Sequence, residues 1–177
     1  MEEMAYKICI FGESGVGKST LAHRYLKGYF EEDIKLTMGA EIFVKYINIE
    51  NIRVVLQIWD FGGEDDFKFL LPLYSNGSSG GIFMFDLSNK APLKNIDGWI
   101  ETFKKGLASS EKEIPILMVG GKLDLQDQIT VTESEAVSIA KDLNLYKYIA
   151  CSSKSGVNVE IIFETLVRDI LRFQNLI

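Results

Sequence analysis

Histidine, cysteine, proline and long apolar runs are scarce in this 177-residue chain, and each scarcity removes a class of function. The single histidine, His23, and two cysteines, Cys9 and Cys151, do not form a set at metal-ligand spacing, so both thiols are expected to be buried and free. His23 falls within a helical stretch, away from any strand end, and is expected to have no chemical role. Three prolines, Pro72, Pro92 and Pro115, stand singly, and no low-complexity tract or internal repeat separates parts of the chain. Lys and Arg number 19 against 25 Asp and Glu, giving a formal net charge of -6 with no basic cluster. A surface of that sign repels polyanions, which argues against nucleic acid and anionic lipid as partners. No apolar run reaches the roughly 20 residues that a membrane span requires. Glu2 and Glu3 stand where a secretory leader would be basic, so a cytoplasmic location is expected. The end, Phe173-Gln174-Asn175-Leu176-Ile177, carries no cysteine, so no prenyl anchor is expected unless a longer tail follows.

What is present is an ordinary globular composition, 47% hydrophobic and 25% charged, that suits a single domain over residues 1–177. Tyr6 to Phe11 reads as a strand and Lys18 to Lys27 as a helix. Ala40 to Ile49 and Ile52 to Trp59, joined at Glu50-Asn51, read as a hairpin. The unalternating runs Gly81 to Phe85, Ile114 to Val119 and Tyr146 to Ala150 suit strands buried on both faces of a parallel sheet. Helical patterns cover Asp66 to Tyr74, Leu93 to Ser109, Glu133 to Asn144 and Val157 to Phe173, with Thr132 and Glu135 spaced as a capping box. Alternating strands and helices predict a doubly wound α/β sheet, with ligands beyond the carboxyl ends of its strands. Those loops follow Phe11, Trp59, Val119 and Ala150.

Gly12-Glu13-Ser14-Gly15-Val16-Gly17-Lys18-Ser19 has the spacing G-x-x-x-x-G-K-[ST] between a predicted strand and a predicted helix. Glycines let successive N–H groups turn toward a phosphate, and the helix amino end adds positive potential. The phosphate-facing set is Ser14, Gly15, Val16, Gly17, Lys18, Ser19 and Thr20. Lys18 reaches for the outer phosphates, and the Ser19 hydroxyl suits one position around Mg²⁺. Asp60-Phe61-Gly62-Gly63 places a carboxylate where it holds a Mg²⁺-bound water and lets Gly63 offer its N–H to a γ-phosphate. Gly121-Lys122-Leu123-Asp124 follows the fifth strand, and Asp124 can accept from guanine N1–H and its 2-amino group, neither of which adenine offers. A phosphate loop alone leaves an ATP-dependent kinase open.

Taken together these residues resemble the Ras superfamily of small GTPases, most closely its Rab-like branch, from Tyr6 to Phe173. Thr37 resembles the switch I threonine, Asp60 to Gly63 the switch II motif, and Cys151-Ser152-Ser153-Lys154 the last base-contacting loop. Trp59 and the Thr-x-Gly at Thr37 to Gly39 are similar to the Rab branch. The resemblance implies one P-loop NTPase domain with a six-stranded, mostly parallel sheet, one antiparallel strand and about five helices. It also implies GTP and GDP as ligands and slow GTP hydrolysis. Thr37 would complete a Mg²⁺ shell with Ser19 and Asp60. Phe30 would lie against the guanine edge, Lys122 over its plane, and the loop of Ser152, Ser153 and Lys154 at guanine O6. Effectors, exchange factors and GTPase-activating proteins would read the switch segments of a protein expected to be a monomer.

Two positions depart from that pattern. Glu64 stands where the family has glutamine; an ionised carboxylate only accepts hydrogen bonds and is repelled by a γ-phosphate, more so beside Asp65 and Asp66. With Lys18 and Gly63 it forms the expected catalytic set, and weak intrinsic hydrolysis is expected. Gly121 stands where the family has asparagine, a lost anchor expected to cost about 1 to 2 kcal/mol of nucleotide affinity. A pseudo-GTPase that retains nucleotide with negligible hydrolysis is the alternative. Phe67, Phe69, Leu70, Leu71 and Tyr74 follow switch II at helical spacing and suit either core or partner surface.

Overall fold

The computed structural model describes residues 2–107 and 113–177. Its strands are β1 (Glu2–Phe11), β2 (Ala40–Ile49), β3 (Ile52–Phe61), β4 (Gly80–Asp86), β5 (Ile116–Gly121) and β6 (Lys147–Ala150). Its α-helices are α1 (Lys18–Lys27), α2 (Asp65–Lys68), α3 (Leu71–Ser75), α4 (Ile96–Lys105), α5 (Glu133–Asp142) and α6 (Val159–Phe173). The strands form one sheet in the order β2-β3-β1-β4-β5-β6. Among the described residues only β2 runs against its neighbour; the β1–β3, β1–β4, β4–β5 and β5–β6 pairs are parallel.

Alternation along β1 sends Ile8 and Ile10 to one face and Cys9 and Phe11 to the other, so each face carries its own core. On the first face α1 and α6 cover the sheet, and Tyr25 stacks on Phe163 with ring centroids 3.8 Å apart. On the second, α4 and α5 cover it, with Phe11 stacked on Phe103 at 4.4 Å. β4 is buried on both sides, Ile82 and Met84 toward one core and Phe83 and Phe85 toward the other, which explains its lack of alternation. Both cysteines are buried free thiols.

Several boundaries differ from the sequence reading for local reasons. The expected helix over Asp66 to Tyr74 is two short ones, because Pro72 has no N–H and its ring clashes with the carbonyl four residues back; it is tolerated only in the first turn of α3. The expected helix from Leu93 opens instead as a 3₁₀ turn over Ala91–Asn95 and becomes α4 at Ile96; its expected end at Ser109 lies outside the described residues. β5 begins after Pro115, whose carbonyl accepts from the Gly81 N–H at 3.0 Å. α5 starts as expected, with the Thr132 N–H donating to Glu135 Oε2 at 2.9 Å and the Glu135 N–H to Thr132 Oγ1 at 3.2 Å. No described helix is long and apolar enough to cross a membrane.

Parallel pairing brings the carboxyl ends of β1, β3, β5 and β6 out along one edge, and the loops that follow them meet there.

Candidate nucleotide-binding site

At the end of β1 the chain turns through Gly12 to Gly17 and enters α1 directly. Gly17 is the N-cap with φ 103°, a left-handed conformation in which a β-carbon is strained, so the loop closes onto the helix only through glycine. Lys18, the first residue of α1, is buried and its Nζ donates to the Glu13 carbonyl at 2.6 Å. Burial pulls the Lys18 ammonium down to about 8, against the opposing pull of the Asp60 carboxylate.

Three oxygen-bearing side chains converge beside it. Ser19 Oγ lies 2.7 Å from Thr37 Oγ1, and both hydroxyls bond Asp60 Oδ2, Thr37 at 3.2 Å and Ser19 more closely. Asp60 is fully buried at the end of β3, and its Oδ1 has no hydrogen-bond partner among the described residues. Burial raises its carboxyl above the usual range, opposed by the Ser19 hydroxyl, the Lys18 charge and the Thr37 hydroxyl. A buried carboxylate oxygen without a partner is costly unless a ligand answers it. A small, all-oxygen set of this kind fits Mg²⁺, which takes one or two carboxylates, hydroxyls and phosphate oxygens.

The segments around Thr37 and after Asp60 are joined by the Gly62 N–H, which donates to the Gly39 carbonyl at 2.7 Å. Gly63 is packed where a β-carbon would run into the Gly12 carbonyl, Glu13 and the Lys18 amine, so this approach of β3 to the phosphate loop requires glycine. Ser14, Gly15, Gly17 to Thr20, Thr37 and Gly63 line a chamber of about 220 Å³. Glu64 stands half-buried at the N-cap position of α2, its side chain making no capping hydrogen bond, and lines neither this chamber nor the next.

A second chamber, of about 260 Å³, continues from the first past Gly17, Thr20 and Lys122. Val16, Phe30, Met84, Asp124, Ser153 and Lys154 are among its walls. Lys122 adopts φ 63° and bridges the loops: its Nζ donates to the Gly15 carbonyl at 3.1 Å and pairs with Asp86 at 2.7 Å. Against the effect of burial, Lys122 and Ser88 hold the Asp86 carboxyl below its usual range. Asp124 is exposed at the chamber mouth, where Oδ1 accepts from Ser152 Oγ at 2.8 Å. Ser152 Oγ in turn accepts from the Ser155 N–H at 3.0 Å, so Ser152 braces Asp124 from behind rather than lining the chamber.

Sequence reasoning missed Asp86, Met84 and the Glu13 carbonyl. A carboxylate ending β4 was the only signal for the first; nothing in the sequence ties Met84 to position 121 or selects one backbone oxygen. His23 Nδ1 meets Glu31 at 3.0 Å, away from both chambers.

The Ras family sequence model matches residues 7–172. Ras-related protein Rab-11C of Dictyostelium discoideum is 33% identical over 168 residues, covering 95% of this chain and 73% of its own. Ras-related protein Rab-8B of Bos taurus is 33% identical over 166 residues, covering 94% of this chain and 78% of its own. Ras-related protein Rab-7a of Dictyostelium discoideum is 27% identical over 175 residues, covering 98% and 86%. Similarity that runs from inside β1 to the last turn of α6, across both chambers, makes this chain a member of the Ras family, a small GTPase of the Rab-like kind.

Proposed function

We propose that the chain holds GTP or GDP in the two chambers, hydrolyses GTP slowly, and presents a different surface to partner proteins in each state. The observation that carries this reading is the meeting of Ser19, Thr37 and the half-satisfied Asp60. It ties the phosphate loop, the segment before β2 and the end of β3 to one point, so a γ-phosphate there controls both flanking segments.

Each residue has a task that its surroundings permit. Ser14 to Thr20 offer backbone N–H groups and Lys18 its ammonium to the phosphates. Ser19, Thr37 and Asp60 would hold Mg²⁺, which when bound neutralises charge on the outer phosphate oxygens. Phe30 and Lys122 flank the base, Asp124 accepts from its N1–H and 2-amino group, and the Ser153–Lys154 backbone answers its O6. The Gly63 N–H steadies the γ-phosphate as water attacks its phosphorus and the bond to the β-phosphate oxygen breaks. Orienting that water requires a group that accepts from it and donates toward the phosphate. A carboxylate at Glu64 only accepts, and the residue is not among those lining the phosphate chamber, with exposed Asp65 and Asp66 beside it.

The same position favours a second reading, a module that keeps its nucleotide and scarcely cleaves it. Single-turnover cleavage of bound GTP separates the two. We expect a slow but measurable rate in the unaltered chain and an increase of about tenfold in Glu64→Gln, roughly 1.4 kcal/mol of barrier. Rapid unassisted cleavage, with no gain from Glu64→Gln, would overturn this view of Glu64.

The partners expected are effectors, exchange factors and GTPase-activating proteins meeting the switch segments, where Leu36, Met38, Phe69 and Leu73 are exposed. A cytoplasmic setting agrees with the acidic surface, and the Rab relatives suggest a role in membrane traffic.

A further inference from the structure

Gly121 ends β5, buried, directly beneath the phosphate loop. Its φ is outside the left-handed region, so the backbone itself accepts a side chain there. What prevents one is a neighbour: a β-carbon at 121 would lie 2.5 Å from the Met84 terminal methyl, and 3.4 Å from the Val16 carbonyl. Met84 reaches across from β4, is 1% exposed, and brings that methyl within 3.6 Å of where a β-carbon on Gly17 would stand. The same side chain forms part of the wall of the base chamber. Position 121 is therefore not empty. The methyl end of Met84 occupies it and approaches the phosphate loop, while the same side chain lines the base chamber.

Resting on the nucleotide reading above, we propose that Met84 is the positioning residue that joins β5 to the phosphate loop and sets the floor of the base chamber. Gly121 is the residue that makes room for it. A methionine is unbranched and turns easily, so a small side chain at 121 displaces the methyl rather than unfolding the strand. The Met84 methyl lies close to the loop at Gly17 and its side chain lines the base chamber, so atoms added at 121 push it toward that chamber. Adding atoms at 121 thus narrows the site for the base at little cost to the fold. Gly121 taken alone reads as a lost anchor; taken with Met84 it is a place where apolar packing stands in for a side-chain tether.

The experiment is a double-mutant cycle on GDP affinity in the full chain with Mg²⁺, comparing Gly121→Ala, Met84→Ala and the double variant, with thermal unfolding measured for each. We expect Gly121→Ala to weaken GDP binding about tenfold while shifting the melting temperature little, as overpacking directed into a cavity does. In the Met84→Ala background the same change at 121 should alter affinity less than about twofold. Equal weakening in both backgrounds, or none in either, overturns the coupling. If the unaltered chain takes up no GDP, the nucleotide reading itself fails, and that result is separate from a failed cycle in a chain that binds.

Discussion

At the phosphate end of the cleft Lys18, Ser19, Thr37 and Asp60 are buried or half-buried and bonded to neighbouring atoms of the chain, Asp60 Oδ1 excepted. Lys18 is held by the Glu13 carbonyl, Ser19 and Thr37 close on Asp60, and Gly63 leaves no space for a β-carbon. At the base end Asp124, the carboxylate proposed to select the base, is exposed and braced by one serine, Lys122 is paired with Asp86, and Met84 is part of the wall. The difference follows from what each end must do. Phosphate is a polyanion bound through many donors in a dry, preorganised cradle, where a misplaced atom is expensive. A base is chosen by a few hydrogen bonds at its edge and packed by apolar surface, which tolerates exchange of one packing solution for another.

The contrast can be broken most forcefully at Lys18. Lys18→Ala should weaken GDP and GTP binding by more than about 100-fold, roughly 3 kcal/mol, because it removes charge-assisted contacts in a buried setting; equilibrium titration with labelled GDP checks it. A loss below about fivefold would mean the phosphate end is no more exacting than the base end.

Asp124→Ala tests the other end and should act on choice more than on strength. Competition of ATP against GTP should show the guanine preference falling by about 10³-fold, as expected when a site built to meet particular donors loses its acceptor. An unchanged preference would remove Asp124 from base selection.

A smaller effect, away from both ends, sharpens the comparison by serving as its reference. Thr132→Ala removes the α5 cap and should cost about 1 kcal/mol of stability while leaving nucleotide affinity unchanged. The cap also carries a pH signature. Hydrogen bonds from Lys90 and Thr132 lower the Glu135 carboxyl from 4.5 to about 2. A folded-state value below the unfolded one means the contribution is present above about pH 4.5 and lost as pH falls toward about 2. The difference between Thr132→Ala and the unaltered chain in denaturant titrations should therefore shrink across that window, and a constant difference would mean Glu135 takes no part in the cap.

Much of this was legible because it is local. The phosphate loop is one contiguous run with a fixed strand and helix on either side, the hairpin β2–β3 announces itself by β-branched residues around Glu50-Asn51, and the Thr132 cap is set by a three-residue spacing to Glu135. Where reading failed, the cause was usually a proline or a long-range contact. Pro72 split an apparent helix in two, and the apolar residues after switch II divided by facing. Leu71 is buried, Phe67, Leu70 and Tyr74 are half-buried, and Phe69 is 74% exposed. Neither outcome is visible from helical spacing alone, because a broken helix has no single face.

The sequence by itself determined the order of strands and helices, the loop that wraps phosphate, and the carboxylate, lysine and hydroxyl types that nucleotide chemistry requires. These depend on hydrogen-bonding patterns and conformational limits that act over a few residues. Only the tertiary structure decided that Thr37 meets Ser19 and Asp60, that Glu64 is not among the residues lining the phosphate chamber, that Asp86 holds Lys122, and that the Met84 methyl stands where a side chain at 121 would go. Each joins residues from different strands or loops, and such contacts are fixed by how the sheet and its two cores pack, at distances along the chain that no local rule spans.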